Sequence, residues 1–431
     1  MPKAGWFKWC SCSVCAVVVA FALAPVNAGN EAGQGLPNLV RANERFGRSL
    51  LVKVHKGDPG HNVVVSPVSL TIVLAAIQHA SSDAHLRKEI GDAFGWGEYP
   101  SLGVPVRMLL AAFEEPTRVT TPPPPRARPV PRGFPKGLSL PLRSPEESWI
   151  TNVLLFRGTD PSSGQDLNAL AQEFVADASK YFGVKFVSTG AAKPTANDLR
   201  GARKSAGALP LVSSKNDVWI SSGVHLRTAW KGNTFAMNPP FTGEFRTARG
   251  EKRQVEMNTS ELSQYPHAMT NSFEAVVLPC QSAYMVAVLP APGKDILELE
   301  KDLADSPETL DAVLEKQAGL VTMPTFHIGS ERDLRPQLEE MGIRQVFEDL
   351  AGMVRFPKSH LREVAQKIDL RIDHEGIRAN AETVAGAVYG GVMSGTPFKM
   401  QIDRPFLFLV RDYNTNALLF MGVVMDPSQN P

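Results

Sequence analysis

The chain has 431 residues, of which 43% are hydrophobic, and its formal net charge is +1. This composition is ample for a large buried core, and at roughly 150 residues per domain the length alone favours two or three domains. A net charge so close to zero gives no strong field that would attract the whole molecule to nucleic acid or to a membrane surface, so neither is an expected partner.

The N-terminal segment 1–28 has the pattern of a secretory signal peptide. Lys3 and Lys8 form a basic start, residues 12–25 are apolar, and Val26-Asn27-Ala28 offers a small-residue cleavage site. A transmembrane helix needs about 20 apolar residues, and neither this run nor any other segment reaches that length. We therefore expect a secreted, extracellular protein without a membrane span.

Export would expose the chain to disulfide formation and to glycosylation. Three of the four cysteines lie in the signal segment, so Cys280 remains alone and the mature chain has no internal disulfide. Cys280 follows an apolar run, which favours a buried structural thiol over a reactive one. Asn258-Thr259-Ser260 is the glycosylation sequon, and Asn258 is the candidate site.

Residues 116–145 differ from the rest of the chain. They are rich in proline, with four in a row at 122–125, and they carry six Lys or Arg residues and no acidic residue. Proline removes backbone donors and favours extended chain, so this segment is predicted to be an insert outside the core. Two interpretations stay open: a solvated surface insertion, or an arm that binds polyanions such as glycosaminoglycans.

The remaining pattern mixes helices and strands without regular alternation, which favours an α+β fold. Ser66-Pro67 is predicted to start a buried central helix, with the serine side chain as its cap. Residues 166–182 form an amphipathic helix pattern, and Asp333 is predicted to cap a short helix that Gly342 ends. The predicted strands are 150–156, 217–226, 275–278, 284–289 and 368–372, with an apolar hairpin formed by 406–410 and 418–425.

A period-two pattern from Ile377 to Ala387 is the most informative feature of the chain. One parity is small or apolar apart from one threonine, and the other begins Arg378, Asn380, Glu382. This alternation is typical of a strand with one buried face, yet the run continues into a Gly- and Ser-rich segment typical of a loop. The pattern therefore predicts two states, one in solvent and one inserted into a sheet. The members of the inward parity are Ile377, Ala379, Ala381, Thr383, Ala385 and Ala387.

No catalytic or metal-binding motif is present in the sequence. His374-Glu375 begins like a zinc-protease helix, but Arg378 stands where the second histidine is needed. A nucleophile elbow, a phosphate-binding loop and paired histidines at metal spacing are all missing. We therefore predict a binding protein or inhibitor rather than an enzyme, with no cofactor and no metal.

Several segments, in order along the chain, resemble the serpin family of serine-protease inhibitors. The resemblance runs from about residue 37 to 429 and is interrupted by the insert. It implies one serpin domain, residues 29–431, with three β-sheets, eight or nine helices and an exposed reactive-centre loop at about 376–400. The segments that carry it are Asn62–Ser69, Thr151–Phe156, Trp230-Lys231-Gly232 with Phe241 and Phe245, Met323–Phe326 with Asp333 and Gly342, and Asp403–Phe408 with Phe420–Gly422.

The resemblance also implies a mechanism. A target serine protease attacks a scissile bond in the loop, forms an acyl-enzyme and is trapped when the loop inserts into the largest sheet. The expected partner is that protease, and the expected state is a monomer. The alternative is a serpin fold that acts as a carrier, chaperone or interaction protein without inhibition.

The resemblance assigns two structural sites. In the shutter, where the sheet opens, Ser66 and Ser69 match the family, while Ser222 and Gln366 stand where Asn and His are usual. In the hinge, Gly376 matches as a permissive pivot, and Ile377 replaces the usual small hydroxyl residue. The full hinge set is Glu375, Gly376, Ile377, Ala379 and Ala381.

The position of the scissile bond stays open within a short stretch. Counting from the hinge places the cut after Gly390, and counting back from Pro405 places it after Ser394. The candidates for the residue before the cut are Tyr389, Gly390, Gly391, Met393 and Ser394. No Lys or Arg lies between Arg378 and Lys399, so elastase-, subtilisin- or chymotrypsin-like targets are expected rather than trypsin-like ones.

Overall fold

The structure is a computed structural model. It describes residues 31–97, 102–114, 147–156, 172–188, 217–232, 234–235, 238–350, 360–378 and 396–429. The predicted signal segment, the insert 116–145 and residues 379–395 of the predicted loop lie outside these ranges. Across the ranges that are described, no helix combines the length and apolar character needed to cross a membrane.

Nine helices lie in the described ranges, and several of them pack against one central helix, α2. Residues Pro67 to Gln78 of α2 are all buried, because nearly every side chain on it is apolar and no polar face is left for solvent. The helices are α1 Glu31–Gly57, α2 Pro67–Ala80, α3 Ala84–Phe94, α4 Gly103–Glu114, α5 Gln172–Phe182, α6 Ile296–Asp305, α7 Glu308–Ala312, α8 Arg335–Glu340 and α9 Gln345–Glu348.

The start of α2 differs in one respect from the sequence prediction. Pro67 occupies the first helical position as expected, but the Ser66 side chain makes no capping bond. Its hydroxyl instead donates to the main-chain oxygen of Leu419, at 2.7 Å. The predicted cap is therefore wrong, because a buried acceptor on a neighbouring strand takes the hydroxyl.

The described strands form two hydrogen-bonded sheets. The larger has ten strands in the order β1-β16-β15-β9-β8-β7-β10-β6-β5, with β14 paired to β10. Its strands are β1 Val63–Val65, β5 Phe241–Arg246, β6 Lys252–Thr259, β7 Ser263–Met269, β8 Phe273–Pro279, β9 Ala283–Pro290, β10 Glu315–Pro324, β14 Phe398–Gln401, β15 Phe406–Asp412 and β16 Leu418–Val424. Because β10 pairs with β6, β7 and β14, these strands belong to one hydrogen-bonded sheet, and the described strands form two sheets where three are expected.

The smaller sheet has six strands in the order β11-β12-β13-β4-β2-β3, with a further pairing between β12 and β4. Its strands are β2 Glu147–Phe156, β3 Val184–Ser188, β4 Asp217–Ala229, β11 Phe326–Asp333, β12 His360–Ile372 and β13 Gly376–Arg378. The α+β class predicted from the mixed pattern is confirmed by these elements. This sheet carries Ser222 and Gln366 of the predicted shutter and Gly376 and Ile377 of the predicted hinge.

A buried ionic cluster fastens helix α1 to the larger sheet. The Glu44 carboxylate of α1 pairs with Arg48 on the same helix and with Arg411 of β15. Arg411 also donates to Asp311 of α7, at 2.8 Å, and its side chain is only 1% exposed. Because each guanidinium has a carboxylate partner, the cluster avoids the cost of an uncompensated buried charge.

A second buried pair connects α1 to α6. His55 Nδ1 lies 2.7 Å from Glu300 Oε1, and both side chains are at most 2% exposed. Burial raises the pKa of the Glu300 carboxyl, and this effect exceeds the opposing influence of the hydrogen bond to His55.

Candidate functional site: the hinge and shutter of the six-stranded sheet

The four predicted shutter residues lie where the start of α2 meets the six-stranded sheet. Ser66 immediately precedes α2, Ser69 lies in its first turn, Gln366 is on β12 and Ser222 is on β4. All four are at most 2% exposed. Ser222 and Gln366 are also register partners where β4 and β12 pair in parallel.

Gln366 forms the polar link between the sheet and α2. Its side-chain Nε2 donates to the main-chain oxygen of Ser66 at 2.8 Å and to Ser69 Oγ at 3.2 Å. Its Oε1 accepts from the main-chain nitrogen of Ser66, at 2.9 Å. Gln366 thus bonds to both Ser66 and Ser69, and the amide uses both of its polar atoms. A buried amide with both atoms bonded fixes the strand on the helix, since losing a partner would leave a buried polar group unsatisfied.

The sheet divides directly above this link. The parallel register of β4 and β12 runs from Asp217 with His360 to Ser222 with Gln366. Beyond Gln366 the two strands are no longer paired with each other among the described residues. At the upper end, β13 lies between them instead, antiparallel to both.

Strand β13 contains the predicted hinge residues Gly376 and Ile377. It is three residues long and lies between β12 and β4. Ile377 stands opposite Ile372 of β12 and Thr228 of β4. Its side chain is completely buried, like those two neighbours. The bulky residue that replaces the family's small hydroxyl residue is thus accommodated in the core.

Gly376 allows this entry because no other residue fits its position. Its φ is +156°, in a region that side chains rarely adopt. A Cβ built there would lie 2.2 Å from the main-chain oxygen of Thr228 and 2.9 Å from the Cα of Ala229. The glycine therefore permits the close backbone approach that seats β13 against β4.

The turn between β12 and β13 is held from below by Trp230. The Trp230 indole Nε1 donates to the main-chain oxygen of Asp373 at 2.7 Å, and its main-chain nitrogen donates to the oxygen of Glu375 at 3.2 Å. Trp230 is only 4% exposed and packs edge-on against Phe235. Both ends of the turn are therefore tied to the residue that follows β4.

The comparison with known families agrees with this geometry. The family described as "Serpin (serine protease inhibitor)" matches residues 163–427. The chain belongs to the serpin family.

Individual serpins match over most of the chain. Iripin-3 from Ixodes ricinus is 27% identical over 388 residues, which cover 85% of this chain and 89% of that protein. Human thyroxine-binding globulin, solved in complex with thyroxine, superposes with a TM-score of 0.70 at 19% identity, and the match covers 92% of this chain and 100% of that protein's chain. Native protease nexin-1 with heparin superposes with a TM-score of 0.69 at 17% identity, covering 91% and 100%. The predicted serpin fold is confirmed by these superpositions.

Arg378 departs from the position that the alternating pattern assigns to it. The pattern predicts that its side chain faces solvent, and the residue does lie on the outer face of the sheet beside Arg371, its register partner. Its side chain is nevertheless only 11% exposed, because it pairs with Asp373 and Glu375 of the preceding turn. The expectation of a solvent-facing side chain is therefore corrected to one covered by two carboxylates.

Sequence reasoning missed the roles of Asp373 and Trp230 in this serpin. Trp230 belongs to one of the segments that carry the family resemblance, whereas Asp373 belongs to none of them. The spacing Asp373, Glu375, Arg378 across a glycine was available as a signal, since a tight turn returns the third residue to the first two. The contact with Trp230 joins residues far apart in the chain and has no local signal.

Asn258 is corrected as a glycosylation candidate. It lies on β6 and is 2% exposed, and its side-chain nitrogen donates to Thr325 Oγ1 at 2.8 Å. The nitrogen that would carry a sugar is therefore occupied inside the folded protein. Cys280 is buried, as the apolar run before it predicts.

The remaining predicted residues lie outside the described ranges. They include the hinge residues Ala379 and Ala381 and every candidate for the residue before the cut: Tyr389, Gly390, Gly391, Met393 and Ser394. Their assignments stay predictions.

Proposed function

We propose that this serpin is a secreted, suicide-type inhibitor of serine proteases, which traps its target by inserting the loop that follows Arg378. One observation carries the proposal: β13 already lies between β12 and β4, above a stretch where those strands are not paired with each other. A sheet divided at the point where the loop enters supports further insertion. The inhibitor would be consumed once, as a strained switch, rather than turning over as an enzyme.

The register of β13 supports the predicted inward parity. Continued along both neighbours, it brings residue 381 opposite Val224 of β4 and Ile368 of β12, which are both buried. The next residue, 382, would meet Lys367, which is exposed. Because directly opposed side chains share a face of the sheet, Ala381 would point to the core and Glu382 to solvent.

The same register supports a cut near Tyr389 or Gly390. Continued downward, it brings residue 388 opposite Asp217, where β4 begins, and residue 389 opposite His360, where β12 begins. A loop cut after residue 389 or 390 would therefore fill the space between the two strands along their whole length. This length favours the two upstream candidates over Met393 and Ser394.

The step that commits the protein is covalent. The target's serine hydroxyl attacks the carbonyl of the residue before the cut, the peptide C–N bond breaks, and the new amine terminus leaves as the ester forms. Insertion of the freed segment would then add a strand with backbone bonds to both neighbours. The ester would be carried away from its original site before water can hydrolyse it.

The residues available near the cut favour targets with apolar or small specificity pockets. A trypsin-like enzyme needs a cation to pair with its buried carboxylate, and no Lys or Arg lies between Arg378 and Lys399. Incubation with a panel of trypsin-, chymotrypsin-, elastase- and subtilisin-like proteases tests this. We expect a covalent band that resists denaturant with one of the last three, and the cut mapped to residues 389–394. A covalent trypsin complex cut within residues 385–396 would contradict the proposed specificity.

A non-inhibitory role as a carrier, chaperone or interaction protein is the second candidate. Ile377 favours it, since a small hydroxyl residue is usual at that point of an inhibitor, and thyroxine-binding globulin shows that a related fold binds a small ligand. Absence of a covalent complex across the panel, together with simple cleavage of the loop, would favour this reading.

The insert 116–145 supports a polyanion-binding role in addition to inhibition. Its six cations are not balanced by any acidic residue within it, and protease nexin-1 offers a related fold solved with heparin. We propose that a glycosaminoglycan binds this arm of a monomeric, extracellular inhibitor.

A further inference from the structure

Arg378 occupies an unfavourable position in the sheet unless its charge is neutralised. By register it lies directly between Arg371 of β12 and Arg227 of β4, so three guanidinium-bearing residues stand in one row on the outer face. Like charges directly opposite each other destabilise strand pairing. Glu147 of β2 is the register partner of Arg227 on its other side, so Arg378, at the centre of the row, is the residue that needs carboxylates from elsewhere.

The turn that precedes β13 supplies these carboxylates. Arg378 Nη2 lies 3.2 Å from Asp373 Oδ2 and also pairs with Glu375. Arg371 Nε donates to the same Asp373 oxygen, at 3.2 Å. Asp373 is thus shared by two of the three arginines while its own side chain is only 3% exposed.

Asp373 is also held in place before any arginine approaches. Its Oδ1 accepts from the main-chain nitrogen of Glu375, at 2.9 Å, and its main-chain oxygen accepts from the Trp230 indole. A carboxylate fixed by the backbone loses little freedom when it binds a cation, so its pairing with Arg378 is well organised.

We propose that Asp373 is a positioning residue that keeps β13 seated between β12 and β4 by neutralising Arg378 within the row of three arginines. Asp373, Glu375 and Arg378 form an ionic clasp, and this clasp sets how much of the loop the intact protein holds in its sheet. The inference rests on the proposed function only in treating the chain after Arg378 as the bait loop. Whether the clasp seats β13 is measurable without any target protease.

Trypsin reports the position of β13, because Arg378 must leave the sheet and its two carboxylate partners before its side chain can enter the specificity pocket of trypsin, which then cuts Arg378–Ala379. Asp373→Asn keeps an oxygen that can accept from Glu375 but removes the charge. We expect it to raise the rate of native-state cleavage at Arg378–Ala379 by roughly tenfold or more, as expected for losing a charge-assisted hydrogen bond. Cleavage is followed by mass spectrometry of the fragments.

Asp369→Asn is the matched control. Asp369 lies on β12, four residues before Asp373, is half exposed and pairs with His327 rather than with an arginine of the row. The Asp369→Asn substitution removes the same charge without altering the clasp. We therefore expect a cleavage rate at Arg378–Ala379 within about twofold of wild type, the change expected for an exposed pair.

A rescue variant separates neutralisation from a merely structural role. Arg371 is 52% exposed, so Arg371→Gln is tolerated and removes one of the two cations that flank Arg378. In the Asp373→Asn background it is expected to recover most of the lost protection, because less charge then needs to be balanced. A double variant cut as fast as Asp373→Asn would overturn the electrostatic role.

A second variant and a second measurement keep the test decisive. Should Asp373→Asn fail to fold, Glu375→Gln is expected to raise the cleavage rate at Arg378–Ala379 as well.

The ¹⁹F resonance of Trp230, labelled as 5-fluorotryptophan and assigned with Trp230→Phe, is the second measurement. It should shift when the turn between β12 and β13 moves away from the Trp230 indole. Unchanged cleavage and an unchanged resonance in the folded variants would overturn the clasp, even if the protein still traps a protease. Faster cleavage at Arg378–Ala379 in the variants, together with no covalent complex between the wild-type protein and any protease of the panel, would instead support the clasp and refute the inhibitor.

Discussion

The side-chain amide of Gln366 and the main chain of Ser66 bond to each other in both directions, with Nε2 donating at 2.8 Å and Oε1 accepting at 2.9 Å. This reciprocal pair joins β12 to the start of α2 at the level where β12 and β4 stop pairing. Any loop residue that inserts past this level must separate Gln366 from Ser222, its register partner. The amide therefore lies where further opening of the sheet would begin.

Gln366→Glu tests how strongly this link holds the sheet closed. The carboxylate has the same shape and can accept from Ser66, but it cannot donate to the Ser66 oxygen or to Ser69. We expect the free energy of unfolding to fall by about 1–3 kcal/mol, the cost of leaving buried acceptors unsatisfied. Urea unfolding followed by circular dichroism measures the change.

Gln254→Glu serves as the control, since Gln254 is exposed on β6. It introduces the same group on the surface and is expected to change the unfolding free energy by less than about 0.5 kcal/mol. Equal effects of the two substitutions would show that the amide link has no special role.

Gly376→Ala tests whether the close approach of β13 to β4 is required. The new Cβ would meet the Thr228 oxygen at 2.2 Å, so the backbone must shift or β13 must leave the sheet. A strained position of this kind costs about 1–3 kcal/mol. Hydrogen exchange of the peptide covering residues 373–378 should become much faster, whereas Gly57→Ala, with no atom within 4 Å of the new Cβ, should leave it unchanged. Protected exchange in Gly376→Ala would contradict the steric argument.

The sequence predicts the parts of this site that local pattern and chain order determine. Ile377 lies on the inward parity because alternation is a property of a strand itself, whereas only the resemblance to serpins places Ser66 and Gln366 in one site. The environment of Asn258 could not be predicted, because a sequon is a local pattern and its burial depends on β10, which lies beside it. The covered state of Arg378 likewise depends on the shape of a turn and on Trp230, and neither is encoded in the alternation.

Glu300 should give the stability of the protein an identifiable pH dependence. Its folded-state pKa is raised by burial from an ordinary value of 4.5, so the folded protein holds the proton more tightly than the unfolded chain. The stabilising contribution is therefore fully present below the ordinary value and is lost as pH rises through the raised pKa. Glu300→Gln cannot titrate, so the unfolding free energy of wild type relative to this variant should decrease between acid and neutral pH. Glu298→Gln, an exposed change on the same helix, should show no such trend, and a flat difference for Glu300→Gln would contradict the prediction.

Deletion of residues 116–145 should leave the fold and any inhibition intact, because a charged, proline-rich segment buries little apolar area. Retention on heparin should shift to lower salt, since contacts between exposed charges are screened. A variant of unchanged length with its six basic residues replaced by serine separates the role of charge from that of length. Retention that neither variant alters would show that polyanions do not bind the insert.

Loop insertion is the step on which the inhibitor proposal depends. Cleavage near Gly390 should free residues 379–389 to continue β13, complete hydrogen bonds with β4 and β12, and raise the unfolding temperature well above that of the intact protein. Ala381→Asp would place a carboxylate opposite Val224 and Ile368, both buried, at a cost on the order of several kcal/mol if it stays unpaired. This variant should be cut without trapping its protease, whereas Glu382→Ala, on the outer parity, should remain an inhibitor. A cleaved protein that is no more heat-stable than the intact one would show that the loop does not insert, and the carrier, chaperone or interaction role would then be favoured.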